Sequence, residues 1–212
     1  ADVYIGQRTF EWIDSIPDDF PWHMFVSFVG PHDPFDPPTE YADKYRDADM
    51  PTATPTDLPG RPAWLEKRVN KGLTAEKIEE TRRQYCAYIE CIDDQIGEIL
   101  DAVERRGMTD NTYVIFSSDH GEMLGDHGLY TKSVPYEASV HVPLIVAGPG
   151  IKGGQVSDAL VELIDLNPTI CELAGVPPVE DIDARSIAPV LRGETEDHRT
   201  ETVSGIRNFR LI

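Results

Sequence analysis

The apolar run Tyr113-Val114-Ile115-Phe116 leads directly into Asp119 and His120, within the string Val114-Ile-Phe-Ser-Ser-Asp-His-Gly-Glu-Met-Leu-Gly-Asp-His-Gly-Leu129. A short β-branched and aromatic run reads as a buried strand. Ligands of α/β proteins collect where such strands end. Here the strand ends in a carboxylate, an imidazole and a glycine, and Lys132 follows. A hard oxygen donor, a borderline nitrogen donor and a fixed cation together suit a metal-assisted reaction on an anionic ester.

The rest of the chain supplies the frame. His23-Met-Phe-Val-Ser-Phe-Val29 reads as a second buried strand, closed by Gly30-Pro31. Residues 31–62 are rich in proline and predict a long loop with a short helix near Thr39 to Tyr45. Thr74 to Arg106 reads as a long helix: Ile78, Tyr85, Ile89, Ile92, Ile96 and Val103 recur at helical spacing. Thr74 is placed to cap it, and Arg105-Arg106-Gly107 to end it. Further strands are expected at Thr112 to Ser117, Pro143 to Val146 and Thr202 to Ile206. Further helices are expected at Leu166 to Ala174 and Ile187 to Arg192. This alternation predicts an α/β fold with a largely parallel sheet in a single domain.

Several segments together carry a resemblance. The string Ser118-Asp119-His120-Gly121-Glu122-Met123-Leu124-Gly125-Asp126-His127-Gly128 closely resembles the second metal-binding motif of the sulfatases of the alkaline-phosphatase superfamily. Pro31-His32-Asp33-Pro34-Phe35 resembles that family's Pro-His-x-Pro-Phe loop, and Tyr88 to Gly97 its long helix before the metal strand. Tyr136-Glu137, Val142-Pro143-Leu144-Ile145 and Ile164 to Gly175 resemble later segments, in the family's order. The resemblance implies a three-layer α/β/α sandwich, alkaline-phosphatase-like and incomplete in this chain. It implies hydrolysis of sulfate esters, with phosphonate or phosphodiester hydrolysis as a close variant and a small-molecule or saccharide sulfate as substrate.

Under that resemblance Asp119 and His120 are metal ligands. Calcium is the expected ion, and magnesium and manganese fit the same donors. His32 contacts the ester oxygens or gives a proton to the leaving group. Lys132 lies thirteen residues after Asp119, the family's spacing for the lysine that contacts the sulfate. His127 is a substrate-side or loop-orienting residue beside Asp126. Glu122, Glu137, His141 and the mid-helix pair Asp93-Asp94 read as structural, and no pattern surrounds His23 or His198.

Two family features are absent from the sequence. No Cys or Ser-x-Pro-Ser-Arg motif is present to become the formylglycine nucleophile, and no early Asp-Asp pair completes the metal site. Residues 1–212 are therefore expected to be the C-terminal part of one catalytic domain, with residues 202–212 opening a truncated C-terminal region. The chain alone is expected to be inactive. A non-catalytic binding module is the alternative, if the chain is the native product.

The charge excludes other classes. Asp and Glu total 38 against 19 Lys and Arg, a net charge of -19, which disfavours nucleic acid. No apolar run is long enough for a membrane span. Cys86, Cys91 and Cys171 lack metal or disulfide spacing and read as three buried thiols in a reducing, cytoplasmic setting. Six lysines against thirteen arginines, under this acidity, fit either a salt-adapted protein or an ordinary acidic one. Screening relieves carboxylate repulsion, so the melting temperature should rise between low and molar potassium chloride. A flat or falling value by calorimetry would contradict the salt-adapted reading.

Overall fold

The computed structural model describes residues 1–56, 60–206 and 209–211, which form two compact units. The first comprises Ala1–Thr109 with Met123–Tyr130, and the second Asp110–Glu122 with Thr131–Ile212.

The first unit is built on one helix. α4 spans Ala75–Arg105, 31 residues, or roughly 46 Å at 1.5 Å per residue. Its N-cap is Thr74, whose hydroxyl accepts the Lys77 amide at 3.3 Å. Its own amide and the Thr74 hydroxyl hold the Glu76 carboxyl below its ordinary value, as the positive helix N-terminus favours. At the other end Gly107 takes a left-handed φ of 63° and stops the helix.

Helix α1, Asp2–Ser15, packs along α4. Ile13, Ala102 and Val103 form the buried contact, with Phe10, Met24, Ile99 and Met108 around it. Burying a side chain such as Ile13 contributes about 1.5–3 kcal/mol. Close approach is possible because Gly6 faces Gln95: a Cβ at Gly6 would overlap that side chain. Arg106 closes the pair by donating to the carbonyls of Ile13 at 2.7 Å and Ile16 at 2.8 Å. It thereby satisfies orphan acceptors at the end of α1.

Helix α2, Thr39–Tyr45, packs on the middle of α4 through Tyr41, Ala87 and Cys91, and α3, Ala63–Glu66, is a single turn. Tyr41 donates to Asp94 at 2.8 Å. The proline-rich loop is tied down by arginines of α4: Arg83 donates to Ala48 O at 2.8 Å and Arg82 to Pro51 O at 2.7 Å. Residues 57–59 lie outside the described residues.

The segment 23–29 departs from expectation. It runs extended, but no ladder partner occurs among the described residues. Burial alternates, with Met24, Val26 and Phe28 half-buried and Phe25 85% exposed. Without a neighbour on its second face, period-two geometry leaves every other side chain in water.

In the second unit β1, Val114–Ser117, pairs with β2, Leu144–Ala147, in register Val114↔Ala147 to Ser117↔Leu144. The pairing is antiparallel, and so is that of β3, Ser204–Ile206, with β4, Phe209–Leu211. The α/β class holds, but both ladders among the described residues run opposite to the parallel arrangement expected. A parallel pair needs a crossover helix; between β1 and β2 the helical segments are one 3-10 turn, Asp126–Gly128, and one turn, α5, at Glu137–Val140. The strands are also less buried than expected, with Ile145 62% exposed.

The remainder of this unit is organised by a buried carboxylate. Asp165 opens α6, Leu166–Leu173, and accepts the amides of Glu162 at 3.0 Å and Arg185 at 2.8 Å. It also accepts His198 Nε2 at 3.1 Å and Arg199 Nε at 2.9 Å. Thr169 donates to Asp165 O at 2.6 Å and accepts the Ile187 amide at 2.9 Å, docking α7, Ala188–Leu191. Burial pushes the Asp165 carboxyl upward. Arg199, the two amides and His198 outweigh it and hold the group well below the usual carboxylate range. Of the three thiols only Cys91 is buried; Cys86 and Cys171 are half-buried, and all three are free.

A depressed carboxyl stabilises the fold fully above its unfolded pKa of about 3.9, and that contribution fades as pH falls toward the folded value. Asp165→Asn should cost about 3–5 kcal/mol at neutral pH, because buried Arg199 loses its nearer carboxylate and keeps only Glu162, 3.5 Å away. Its deficit should shrink below about pH 4. Urea unfolding followed at both pH values checks this.

Candidate active site

β1 delivers the site in the second unit. Ser117 Oγ donates to Pro143 O at 2.9 Å and Ser118 Oγ to His120 O at 2.8 Å, so the chain turns sharply after the strand. The Gly121 amide donates to Ser139 O at 2.9 Å, and a Cβ on Gly121 would overlap the Ala138 carbonyl. Only glycine fits against that backbone.

This turn projects Asp119 outward, its side chain 87% exposed, and leaves His120 half-buried beside it. Asp119 Oδ2 lies 3.6 Å from His120 Nε2. Two donors bound at about 2.1–2.6 Å to one cation, at near-right angles, stand roughly 3.3 Å apart. The observed spacing needs a shift of only a few tenths of an ångström. His120 Nδ1 meets Gly121 O at 2.9 Å. The carbonyl selects the tautomer protonated at Nδ1 and puts the lone pair on Nε2, the nitrogen nearer Asp119. The donor set therefore fits a hard or borderline divalent ion. Among the described residues no group of three or more His, Cys, Asp or Glu that could hold a metal ion occurs.

Lys132 sits between two residues in the left-handed region, Thr131 at φ 65° and Ser133 at φ 70°. A β-branched residue there is an outlier that its surroundings must hold in place. Glu122 accepts the Thr131 amide. Glu137 and His141 pair with each other at 2.9 Å on the exposed face of α5.

The first unit carries the other two candidates. His32 follows the Val29–His32 turn, in which the His32 amide donates to Val29 O at 3.3 Å. Its Nδ1 meets Asp33 O at 2.9 Å and Asp33 Oδ1 at 3.1 Å, the same anchoring as in His120. His127, at φ 55°, is likewise anchored, with Nδ1 3.1 Å from Pro55 O and its amide donating to Thr54 O at 2.9 Å. The turn around it is locked by Arg82, which sequence reading missed. That guanidinium donates to Leu124 O at 3.0 Å, Pro51 O at 2.7 Å and Asp126 Oδ1 at 2.7 Å, and Asp126 also accepts the Thr54 amide at 2.7 Å. Arg82 thus ties the Gly125-Asp126-His127-Gly128 turn to residues 51–54. The one available signal was a charged residue interrupting the inward stripe of α4.

The α/β architecture thus sets a carboxylate–imidazole pair at the end of β1. Comparison with known proteins makes this specific. The Sulfatase family model matches residues 3–176, and the chain belongs to the sulfatase family. It is 34% identical over 202 residues to an arylsulfatase of Clostridium perfringens, covering 89% of this chain and 41% of the relative. It is 36% identical over 195 residues to a choline-sulfatase of Rhizobium meliloti, covering 86% and 37%. The chain thus spans about two fifths of these relatives' length. Among solved structures, a phosphonate monoester hydrolase from Silicibacter pomeroyi superposes with a TM-score of 0.81 at 28% identity, over 93% of this chain and 42% of that one. A protein solved with its substrate D-glucosamine-2-N,6-O-disulfate superposes with a TM-score of 0.84 at 22% identity, over 96% and 55%.

Removing Arg82 takes one donor from each of Leu124 O, Pro51 O and Asp126, which keeps the Thr54 amide. Arg82→Ala should therefore lower stability by about 2–4 kcal/mol. It should also make residues 51–56 the first site cut in limited proteolysis, read by mass spectrometry. An unchanged cleavage pattern would show that the loop is held by other contacts.

Proposed function

We propose that the complete protein hydrolyses sulfate esters at a divalent metal ion, with this chain supplying two of the ligands and the groups that receive the sulfate. The observation that carries the reading is the pair Asp119 Oδ2 and His120 Nε2, 3.6 Å apart at the end of β1. Its support is the family match and relatives named for sulfatase activity. Calcium best suits the exposed carboxylate, with magnesium or manganese as substitutes. When bound, the cation neutralises charge on the ester oxygens and lowers the cost of attack.

The chain's own side chains have distinct tasks in this reading. Asp119 brings the negative charge and His120 a neutral nitrogen whose orientation the Gly121 carbonyl fixes. Lys132, held by its left-handed neighbours, faces charge on the equatorial sulfate oxygens. His32 binds the ester and, as the imidazolium with Nδ1–H bonded to Asp33, gives its Nε2 proton to the leaving alkoxide and becomes the neutral Nδ1–H tautomer. His127 orients the substrate-side loop. The formylglycine nucleophile and remaining carboxylates come from outside this sequence, so residues 1–212 form the C-terminal part of one catalytic domain and are inactive alone. The family match running through both units supports that domain assignment. A small or saccharide sulfate ester is the substrate, and nucleic acid is not, given the net charge of -19. No helix among the described residues is long and apolar enough to cross a membrane, and three free thiols fit a cytoplasmic setting.

Phosphonate monoester hydrolysis is the second reading, favoured by the superposition on the Silicibacter pomeroyi enzyme. The experiment compares turnover of an aryl sulfate and a phosphonate monoester by the complete enzyme. The larger kcat/KM should go to the sulfate. Replacing Asp119 and His120 together with alanine should abolish bound metal in elemental analysis. His32→Ala and Lys132→Ala should each lower kcat by about 10²–10³-fold with metal retained. Unchanged metal stoichiometry in the double variant would sink the assignment.

A further inference from the structure

Among the described residues of the first unit Asp2 is the most deeply buried carboxylate, 1% exposed, and none of the roles above uses it. Its surroundings are unusual for a buried anion. Oδ1 accepts the Val29 amide at 2.6 Å and the Gly30 amide at 3.2 Å, and Oδ2 accepts the Tyr88 hydroxyl at 2.9 Å. All three donors are neutral. A buried charge is tolerated only where donors replace its water, and two of these are successive amides of the peptide entering the His32 turn.

The same turn packs closely on the ring of Tyr88. A Cβ at Gly30 would lie within the Tyr88 ring, so Gly30 is seated directly on it. Burial and the bond to Asp2 push the Tyr88 hydroxyl up to about 12, so it stays a donor at any physiological pH. The Val29 carbonyl then accepts the His32 amide. From Asp2 the path to the imidazole is short: carboxylate to the Val29 and Gly30 amides, Val29 carbonyl to the His32 amide, His32 Nδ1 to Asp33. Asp2 stands on α1 and Tyr88 on α4, so the two packed helices jointly hold the turn.

We propose that Asp2 is a positioning residue for His32: its carboxylate, steadied by Tyr88, fixes the Val29–Gly30 peptide and thereby aims the imidazole. The proposal rests on the reading of His32 as a substrate-facing group. A buried salt-bridging role is not an alternative, since among the described residues no cation pairs with Asp2; its partners are two amides and a phenol. Asparagine keeps the geometry, because its carbonyl oxygen takes both amides and its NH₂ faces the Tyr88 oxygen as donor. Alanine removes all three bonds.

Two measurements separate the proposal from the reading beneath it. The first is the nitrogen-15 ring spectrum of histidine-labelled chain, which needs no activity. Asp2→Ala should move or split the His32 ring signals while those of His141 and His198 stay in place, and Asp2→Asn should restore them. The second is steady-state kinetics of the complete enzyme on an aryl sulfate. Asp2→Ala should lower kcat about tenfold to a hundredfold, the scale of a misplacement near 1 Å, with KM within threefold, and Asp2→Asn should recover most of it. If alanine prevents folding, Tyr88→Phe carries the same comparison with a smaller displacement of the His32 signals. His32 signals unmoved in Asp2→Ala, or in Tyr88→Phe where that variant stands in, overturn the proposal whatever the kinetics show. Moved signals with unaltered kcat would uphold Asp2 as the positioner and instead refute the role given to His32.

Discussion

A charge taken out of water has to recover its hydrogen bonds inside the protein, and three such charges organise this chain. Asp2 gathers two amides and a phenol, Arg82 two carbonyls and a carboxylate, and Asp165 two amides, an imidazole and a guanidinium. For Asp2 and Arg82 most of the partners, and for Asp165 half of them, belong to irregular backbone. Loops that cannot form ladders are thereby given fixed positions, and it is loops that carry the candidate chemistry. Apolar contact between α1 and α4 supplies much of the driving force in the first unit, but it does not say where residues 29–32 or 51–54 must go. The buried ions do.

Much of the fold was readable because it follows local rules. α4 shows a long apolar stripe, a capping threonine and a glycine stop, and it begins and ends within a residue of expectation. α1 was not foreseen, for a physical reason. Its buried positions are Asp2, Gly6, Thr9 and Ile13, at helical spacing but with one aliphatic residue among them. The helix packs by close approach and by hydrogen bonds, so hydrophobic periodicity carries little of the signal. Segment 23–29 failed in the opposite sense. Its composition is that of a strand, yet pairing is a property of the neighbour, which no local pattern encodes.

The site was legible by type more than by support. Strand, carboxylate, imidazole and glycine stand in one continuous string, so Asp119 and His120 could be nominated from sequence and are found side by side. What holds the others is distributed. Lys132 depends on two left-handed neighbours and on Glu122, nine residues before the amide it accepts; His127 depends on Arg82, 44 residues from its partner Asp126. Such couplings are made by tertiary contact and leave no spacing rule behind. Sequence also led to a mostly parallel sheet where the observed ladders are antiparallel, because alternation of element types does not specify the direction of return.

The three loop imidazoles share one habit: His32, His120 and His127 each address a main-chain carbonyl through Nδ1, those of Asp33, Gly121 and Pro55. A main-chain carbonyl is the one acceptor that point substitution cannot delete. Had these rings leaned on carboxylate side chains alone, one codon change apiece would have flipped a proton from one nitrogen to the other. Here the tautomer is inherited from the path of the backbone, so side chains around the loops can drift over generations while the face each ring offers stays the same.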